Sequence, residues 1–481
     1  MSDAYYTYRI HIANRDRVQV NKLNPLKGSL GQPSGAFGYK DALKDQIDAL
    51  VQKANEKEWN SDDQVKVLGE ALFNALFEPT LRQDFVGLYN QVVHTEGKLL
   101  RIELDIDEKA LPDVAALPWE FMRLPAAANL GTLWIGSAPD LIFSRRRSQW
   151  FVPNPIQLNA GEKLRIAIAV SAPADLGAVE YENVIQGLEK LQEKQPDKFE
   201  LLPVLTDTNA EKLDGLLAQD PHILHFIGHG KLVEANGKVE GQIAFVDDML
   251  GDAMWVDADF FADLLNTHRP GIVLLQACEG AQTSSSEAFV GVASRVVQQN
   301  IPVVVAMQYE VSNMTAVRFS LKFYQEVAAG SPVDRAAQNG RRAIGLATQY
   351  KRRDFATPVL FMRVEDGHLF EREGEPANEN GNQPNAPAAA GDDKPVPAAP
   401  ATLTLQQVAA LGRLISDNFT PEELRDFTLA LGLDYDDLRG SNKSGKSREL
   451  ADHARRHGAV AALWQQLYEA RGHIDWSQAL N

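Results

Sequence analysis

Six short apolar runs, separated by helix-forming stretches, constrain this chain more than any other feature. They are "KLRIAIAV" (163–170), "FELLPVLT" (199–206), "HILHFIG" (222–228), "GIVLLQA" (271–277), "IPVVVAMQ" (301–308) and "TPVLFMR" (357–363). Several are apolar at consecutive positions rather than at alternate ones, the pattern of strands covered on both faces. Helical patterns lie between them, such as "YENVIQGLEKLQEKQ" (181–195), "DADFFADLLN" (257–266) and a stretch near 286–299. A polar hairpin containing "GQIAFVDD" interrupts the series. Strand–helix alternation predicts an α/β fold with a mainly parallel sheet and right-handed crossovers.

The first 150 residues are less regular. "LLRIELDID" (99–107) and "DLIFSRRR" (140–147) read as strands and "DQVKVLGEALFNALF" (63–77) as an amphipathic helix, which predicts an α+β lobe packed on the sheet. Residues 151–372 form the catalytic candidate. Residues 373–402 are rich in Pro, Ala, Asn and Gly and hold almost no large apolar side chain. Such a stretch cannot offset its ordering entropy, so a flexible linker is expected there. Residues 403–481 read as a small all-α domain. Leu405, Val408, Leu411 and Ile415 share a helix face, and "TPEELRDFTLALG" opens with a capping box from Thr420 to Glu423, with Pro421 following, and closes on Gly432.

Composition excludes several classes. The 481 residues carry a formal net charge of −17, against the clustered Lys and Arg that nucleic acid or an anionic membrane requires. No run approaches the ~18 apolar residues of a membrane span, and the first residues lack the build of a signal peptide, so a cytoplasmic protein is expected. One cysteine, Cys278, excludes an internal disulfide framework and any cysteine-cluster metal site.

"GSNKSGKS" (440–447) matches the pattern of a phosphate-cradling loop. That loop works only between a buried strand and a helix, and the preceding "LALGLDYDDLR" supplies no strand. The motif is therefore expected to be a polar loop whose Ser444 or Ser447 caps the next helix; an ATPase switch is the weakest of the readings.

Two strand ends carry the chemistry. "HILHFIGHGK" leaves His229 after its strand, with Gly230 beside it, and "GIVLLQACEGA" leaves Cys278. Functional groups of open parallel sheets collect at the carboxyl ends of strands, so both can face one crevice. A thiol with an imidazole in reach is the kit of a cysteine peptidase: the ring takes the thiol proton and later protonates the leaving amine. The backbone N–H groups of Gly230 and Cys278 could hold the oxyanion. His222 and His225 lie in the strand and read as structural. The motif Q-A-C-E-G (276–280) approaches the caspase pattern, with His229 49 positions before Cys278.

Residues from about 60 to 365 resemble the CHAT family of caspase-like peptidases, relatives of caspases and separase. The motifs that carry the likeness are "LPWEFM" (117–122), "LHFIGHG" (224–230), "LLQACEGA" (274–281), "AFVGVASRVVQQNIPVVVAM" (288–307) and "SPVDRAAQNGRRAI" (331–344). The resemblance implies a caspase-like α/β sandwich, a His229–Cys278 dyad, and Gln276 lining the pocket for the substrate residue before the cut. Residues 403–474 resemble the death-like effector-associated domains of prokaryotic conflict systems, which implies homotypic pairing with a partner carrying a like domain, and favours assembly. The expected protein is a cysteine endopeptidase acting on protein substrates without metal or nucleotide cofactor; the competing reading is a catalytically silent scaffold.

Overall fold

The computed structural model describes residues 5–372, apart from 25, 27, 57–61, 126–132, 148–151, 236–237, 278–285 and 300, together with residue 400 and much of 403–480. The chain divides into two compact units, Met1–Gly381 and Asn382–Asn481. The expected linker falls largely outside the described residues.

The first unit is built on one twelve-stranded sheet. In chain order its strands are β1 (Tyr6–Ile12), β2 (Arg17–Asn24), β3 (Gly28–Gly31), β4 (Ser34–Ala36), β5 (Leu100–Ile106) and β6 (Leu141–Arg146). A two-stranded ribbon formed by β7 (Ile156–Leu158) and a late strand stands apart from it. The sheet continues with β8 (Leu164–Val170), β9 (Phe199–Leu201) and β10 (Ile223–Gly228). A separate antiparallel sheet follows, of β11 (Gly230–Ala235), β12 (Lys238–Val246) and β13 (Ala253–Asp257). The main sheet is completed by β14 (Ile272–Ala277), β15 (Val303–Met307) and β16 (Pro358–Met362), and β17 (Phe370–Arg372) is the ribbon partner of β7.

The spatial order is β3-β2-β1-β5-β6-β16-β15-β14-β10-β8-β9, with β4 beside β2. From β6 to β16, and from β15 through β14, β10 and β8 to β9, neighbours run parallel; β16 is antiparallel to β15. The mainly parallel α/β expectation holds. The first 150 residues, expected as an α+β lobe packed on the sheet, contribute β1, β2, β5 and β6 to the sheet itself, joined to the rest through β16.

Both faces are covered. Helices α1 (Asp41–Asn55), α2 (Asp62–Leu76), α3 (Pro79–Tyr89) and the short α4 (Pro112–Ala115) precede the central strands; α5 (Glu182–Lys194), α6 (Ala210–Leu217), α7 (Ala258–Asn266), α8 (Ser286–Gln298), α9 (Asn313–Ala328) and α10 (Val333–Ala347) cross between and after them. Alternation along each strand divides the core. Ile223, Ile227, Ile272 and Leu274 belong to a cluster with residues of α5, α9 and α10, whereas Leu224, Phe226, Val273 and Leu275 belong to another with α7 and α8. Phe226 lies edge-on to Phe261 at 5.7 Å, an aromatic contact whose burial contributes on the order of 2 kcal/mol.

Two family motifs form the joint between the early strands and the rest. In "LPWEFM", Glu120 is fully buried and accepts from Arg145 Nε (2.9 Å) and Nη2 (2.6 Å) and from Gln308 Nε2 (3.1 Å). In "SPVDRAAQNGRRAI", Asp334 pairs with Arg101 at 2.6 Å, and Arg341 donates to the carbonyls of Gly136, Phe143 and Pro358. These polar residues sit in the core because each has partners to replace water.

The second unit, as far as it is described, is helical, without strands among its described residues. Thr404 and Gln407 form a capping box on α11 (Leu405–Asn418), and Val408, Leu411 and Ile415 are buried with Leu450, Leu463, Trp464 and Trp476. A later helix, α12 (Lys443–Arg456), begins inside "GSNKSGKS". Its cap is Asn442, whose Oδ1 accepts from the Gly445 N–H at 2.8 Å. This corrects the expectation that Ser444 or Ser447 caps the helix: both lie within it, and Ser447 is buried. The second capping box and Gly432 lie outside the described residues.

Candidate active site

His229 follows the last residue of β10 and is almost wholly buried, at 1% exposure. Its Nε2 lies 2.8 Å from the carbonyl oxygen of Gly177, in the loop between β8 and α5. A carbonyl only accepts, so Nε2 carries the proton and Nδ1 is left with a lone pair. Among the described residues, Nδ1 has no hydrogen-bond partner. Burial holds the imidazole below its ordinary pKa of 6.5, opposed by the Gly177 hydrogen bond and the charge of Asp175. The ring is thus a neutral base at neutral pH, fixed in one tautomer.

Gly230 opens β11 opposite Ile243. The neighbouring position is hydrogen-bonded, since Ala244 N–H donates to the His229 carbonyl at 3.0 Å. Bonded and non-bonded pairs alternate in an antiparallel ladder, so the Gly230 N–H points away from β12. Only glycine fits there: a Cβ would stand 2.7 Å from the Phe289 ring of α8. An outward N–H next to the imidazole is the geometry an oxyanion donor needs.

Gln276 is the penultimate residue of β14. It is 1% exposed, and its Oε1 lies 3.1 Å from Nε2 of His225, on the sheet face shared with Tyr324. His225 is fully buried and pushed down to about 4 by that burial, with the Gln276 bond opposing. Gln276 and His225 therefore meet inside the sheet layer, and His225 is structural as read. His222, the other strand histidine, is likewise depressed to about 4 by burial, with nearby Arg165 adding to it. Cys278 lies outside the described residues; the strand that leads to it ends at Ala277, ladder partner of Gly228. Gly177 and Asp175 are contributors that residue-type reasoning passed over, because one acts through its main chain and the other stands in an irregular loop. Among the described residues, no group of three or more His, Cys, Asp or Glu is placed to hold a metal, and no helix is long and apolar enough to cross a membrane.

Fold and strand-end histidine together define an α/β protein with a neutral base at the carboxyl edge of its sheet. Residues 66–385, about two thirds of the chain, match the CHAT domain family, and the chain belongs to it. Residues 411–472 match effector-associated domain 7. No curated protein sequence matches significantly. Among solved structures, separase of Saccharomyces cerevisiae, in complex with securin, is 11% identical over 74% of this chain and 30% of its own, with a TM-score of 0.42. The chain thus spans under a third of the separase chain it matches. The Arg-specific cysteine proteinase gingipain R is 11% identical over 69% of this chain and 75% of its own, with a TM-score of 0.36. The complex of the RgpB pro- and mature domains from Porphyromonas gingivalis matches at 12% identity, over 68% and 77%, also with a TM-score of 0.36.

Proposed function

We propose that this chain is a caspase-like cysteine endopeptidase that cleaves protein substrates through His229 and Cys278. The observation that carries the reading is the His229 ring, buried at a strand end, protonated on Nε2 by its bond to Gly177, with Nδ1 unpartnered among the described residues. Register adds support. β10 and β14 are parallel neighbours, and His229 and Cys278 each stand two residues beyond the ladder pair Ile227–Gln276. The strand residues that precede them, Gly228 and Ala277, are ladder partners, and adjacent strands lie about 4.8 Å apart.

In this mechanism Nδ1 of His229 takes the Cys278 thiol proton, and the thiolate adds to the scissile carbonyl. The oxyanion is held by the backbone N–H groups of Gly230 and Cys278. The imidazolium then protonates the leaving amine, and water, deprotonated by the same ring, hydrolyses the acyl-enzyme. Gln276, two residues before Cys278, helps line the pocket for the substrate residue that precedes the cut. Membership of the CHAT family supports the peptidase class. The match to effector-associated domain 7 supports recruitment or activation through the tail, by homotypic pairing with a partner domain, in a prokaryotic conflict or cell-death system in the cytoplasm.

The test compares wild type with Cys278→Ala and His229→Ala in a host lysate, with new protein N-termini read by mass spectrometry. Each substitution is expected to abolish the new termini while circular dichroism stays unchanged. Cleavage retained by either variant removes the dyad.

A further inference from the structure

The loop that carries Gly177 spans residues 171–181, has no regular secondary structure and is largely exposed. Left to itself, such a segment would let the Gly177 carbonyl wander, and with it the imidazole tautomer. It is pinned at three points. Ser171 N–H donates to the Ile227 carbonyl at 2.8 Å, Ala174 N–H to the Gly251 carbonyl at 2.9 Å, and Asp175 Oδ1 accepts from the Ala253 N–H at 2.7 Å.

The last two anchors belong to the β12–β13 hairpin, whose turn is itself braced. Asp247 N–H donates to the Asp252 carbonyl at 2.8 Å, Gly251 N–H to the Asp247 carbonyl at 2.9 Å, and Asp247 Oδ1 accepts from the N–H groups of Met249 (2.9 Å) and Leu250 (2.8 Å). Two residues before the end of β12, Ala244 holds the His229 main chain. The contacts therefore close a circuit: from the His229 backbone to β12, through the turn to Asp175, along the loop to Gly177, and back to the His229 ring.

We infer that Asp175 is a positioning residue for His229: it ties the loop to the hairpin and thereby holds the Gly177 carbonyl where it keeps the proton on Nε2. It is the side chain that joins the two segments, and a carboxylate accepts from a backbone N–H more strongly than a neutral oxygen does. Its charge also favours the imidazolium that forms when Nδ1 takes a proton. The inference rests on the dyad reading for its catalytic consequence and on the hydrogen-bond circuit for the positioning itself.

Two readouts on the full chain keep these apart. The first is the rate constant for alkylation of Cys278, the only thiol, by iodoacetamide at pH 7. The second is the His229 tautomer, from ¹⁵N-histidine correlation spectra assigned with His229→Gln. Asp175→Ala is expected to slow alkylation at least tenfold and to turn the Nε2–H signal of His229 into a tautomer mixture, with melting within a few degrees of wild type. Asp175→Asn, which keeps an acceptor oxygen, is expected to restore the tautomer and most of the rate. A wild-type tautomer in Asp175→Ala overturns the inference, whatever the rate. A changed tautomer with an unchanged rate upholds the clamp and counts against the dyad, as does fast alkylation in His229→Gln.

Discussion

Replacing Glu120 with Gln tests whether "LPWEFM" serves as a joint rather than as part of the active site. Glu120 is fully buried and accepts three hydrogen bonds, two of them from Arg145, itself 2% exposed. Gln has the same shape, so no cavity opens, but the guanidinium is left in the core without its counter-charge. Removing one partner of a buried pair costs about 3–5 kcal/mol, and retention of one acceptor oxygen places this change near 3. The unit holds 381 residues; at about 2 cal/mol/K per residue its unfolding entropy is about 0.8 kcal/mol/K, so the midpoint is expected to fall by about 4 °C. Calorimetry of the full chain measures it. Adding Arg145→Met should recover only part of the loss, because Arg145 also donates to the carbonyls of Ala115 and Leu117. Leu117 keeps the Trp119 N–H at 2.9 Å, but the Ala115 carbonyl loses that donor at a cost of about 1–3 kcal/mol. Iodoacetamide alkylation of Cys278 at 25 °C should be unchanged. A midpoint within 1 °C of wild type refutes the reasoning, and loss of alkylation at unchanged stability would assign Glu120 to the site.

Acid is expected to weaken the fold through its buried histidines. His222 and His225 titrate near 4 in the folded chain against about 6.5 unfolded, so their stabilising effect is complete above 6.5 and drains away as pH falls toward 4. At pH 5 each forfeits about 2 kcal/mol relative to pH 7; urea unfolding at the two pH values should show it, and His225→Gln should reduce the difference. In the tail, Asn442→Ala should lower the melting point through loss of about 1 kcal/mol of capping. Ser447→Ala should leave melting unchanged or raised, since the buried Ser447 Oγ has no partner among the described residues; a loss as large as that of Asn442→Ala would refute the assignment of the cap.

The strands that surround the site were legible because they are covered on both faces and so read as unbroken apolar runs. "FELLPVLT" was read too long: the strand stops at Leu201, with only a lone bridge from Ala169 to Leu205, because Pro203 has no N–H to offer a ladder. β1 and β2 went unread for another reason. Arg9 and His11 share a face of β1 where they pair with Glu103 and Asp105 of β5, so the apolar count misses a strand whose charges are matched across the sheet. His229 and Gly230 could be found from their place after a strand. The Gly177 carbonyl could not, since every residue carries one and only the fold says which points at the ring. The bond between Gln276 and His225 could not be read from the sequence either, since it depends on which strands become neighbours.

The place of β16 has a consequence for biosynthesis. This strand, at residues 358–362, separates β6 from β15, and among the described residues no earlier strand joins the two groups. Until the ribosome has released it, a nascent chain carries two part-sheets with bare edges, each a template for wrong pairing. A chain stopped before residue 358 can bear the histidine, the thiol and the hairpin and still lack the keystone, so completion of the central layer is deferred until almost the whole first unit has been made.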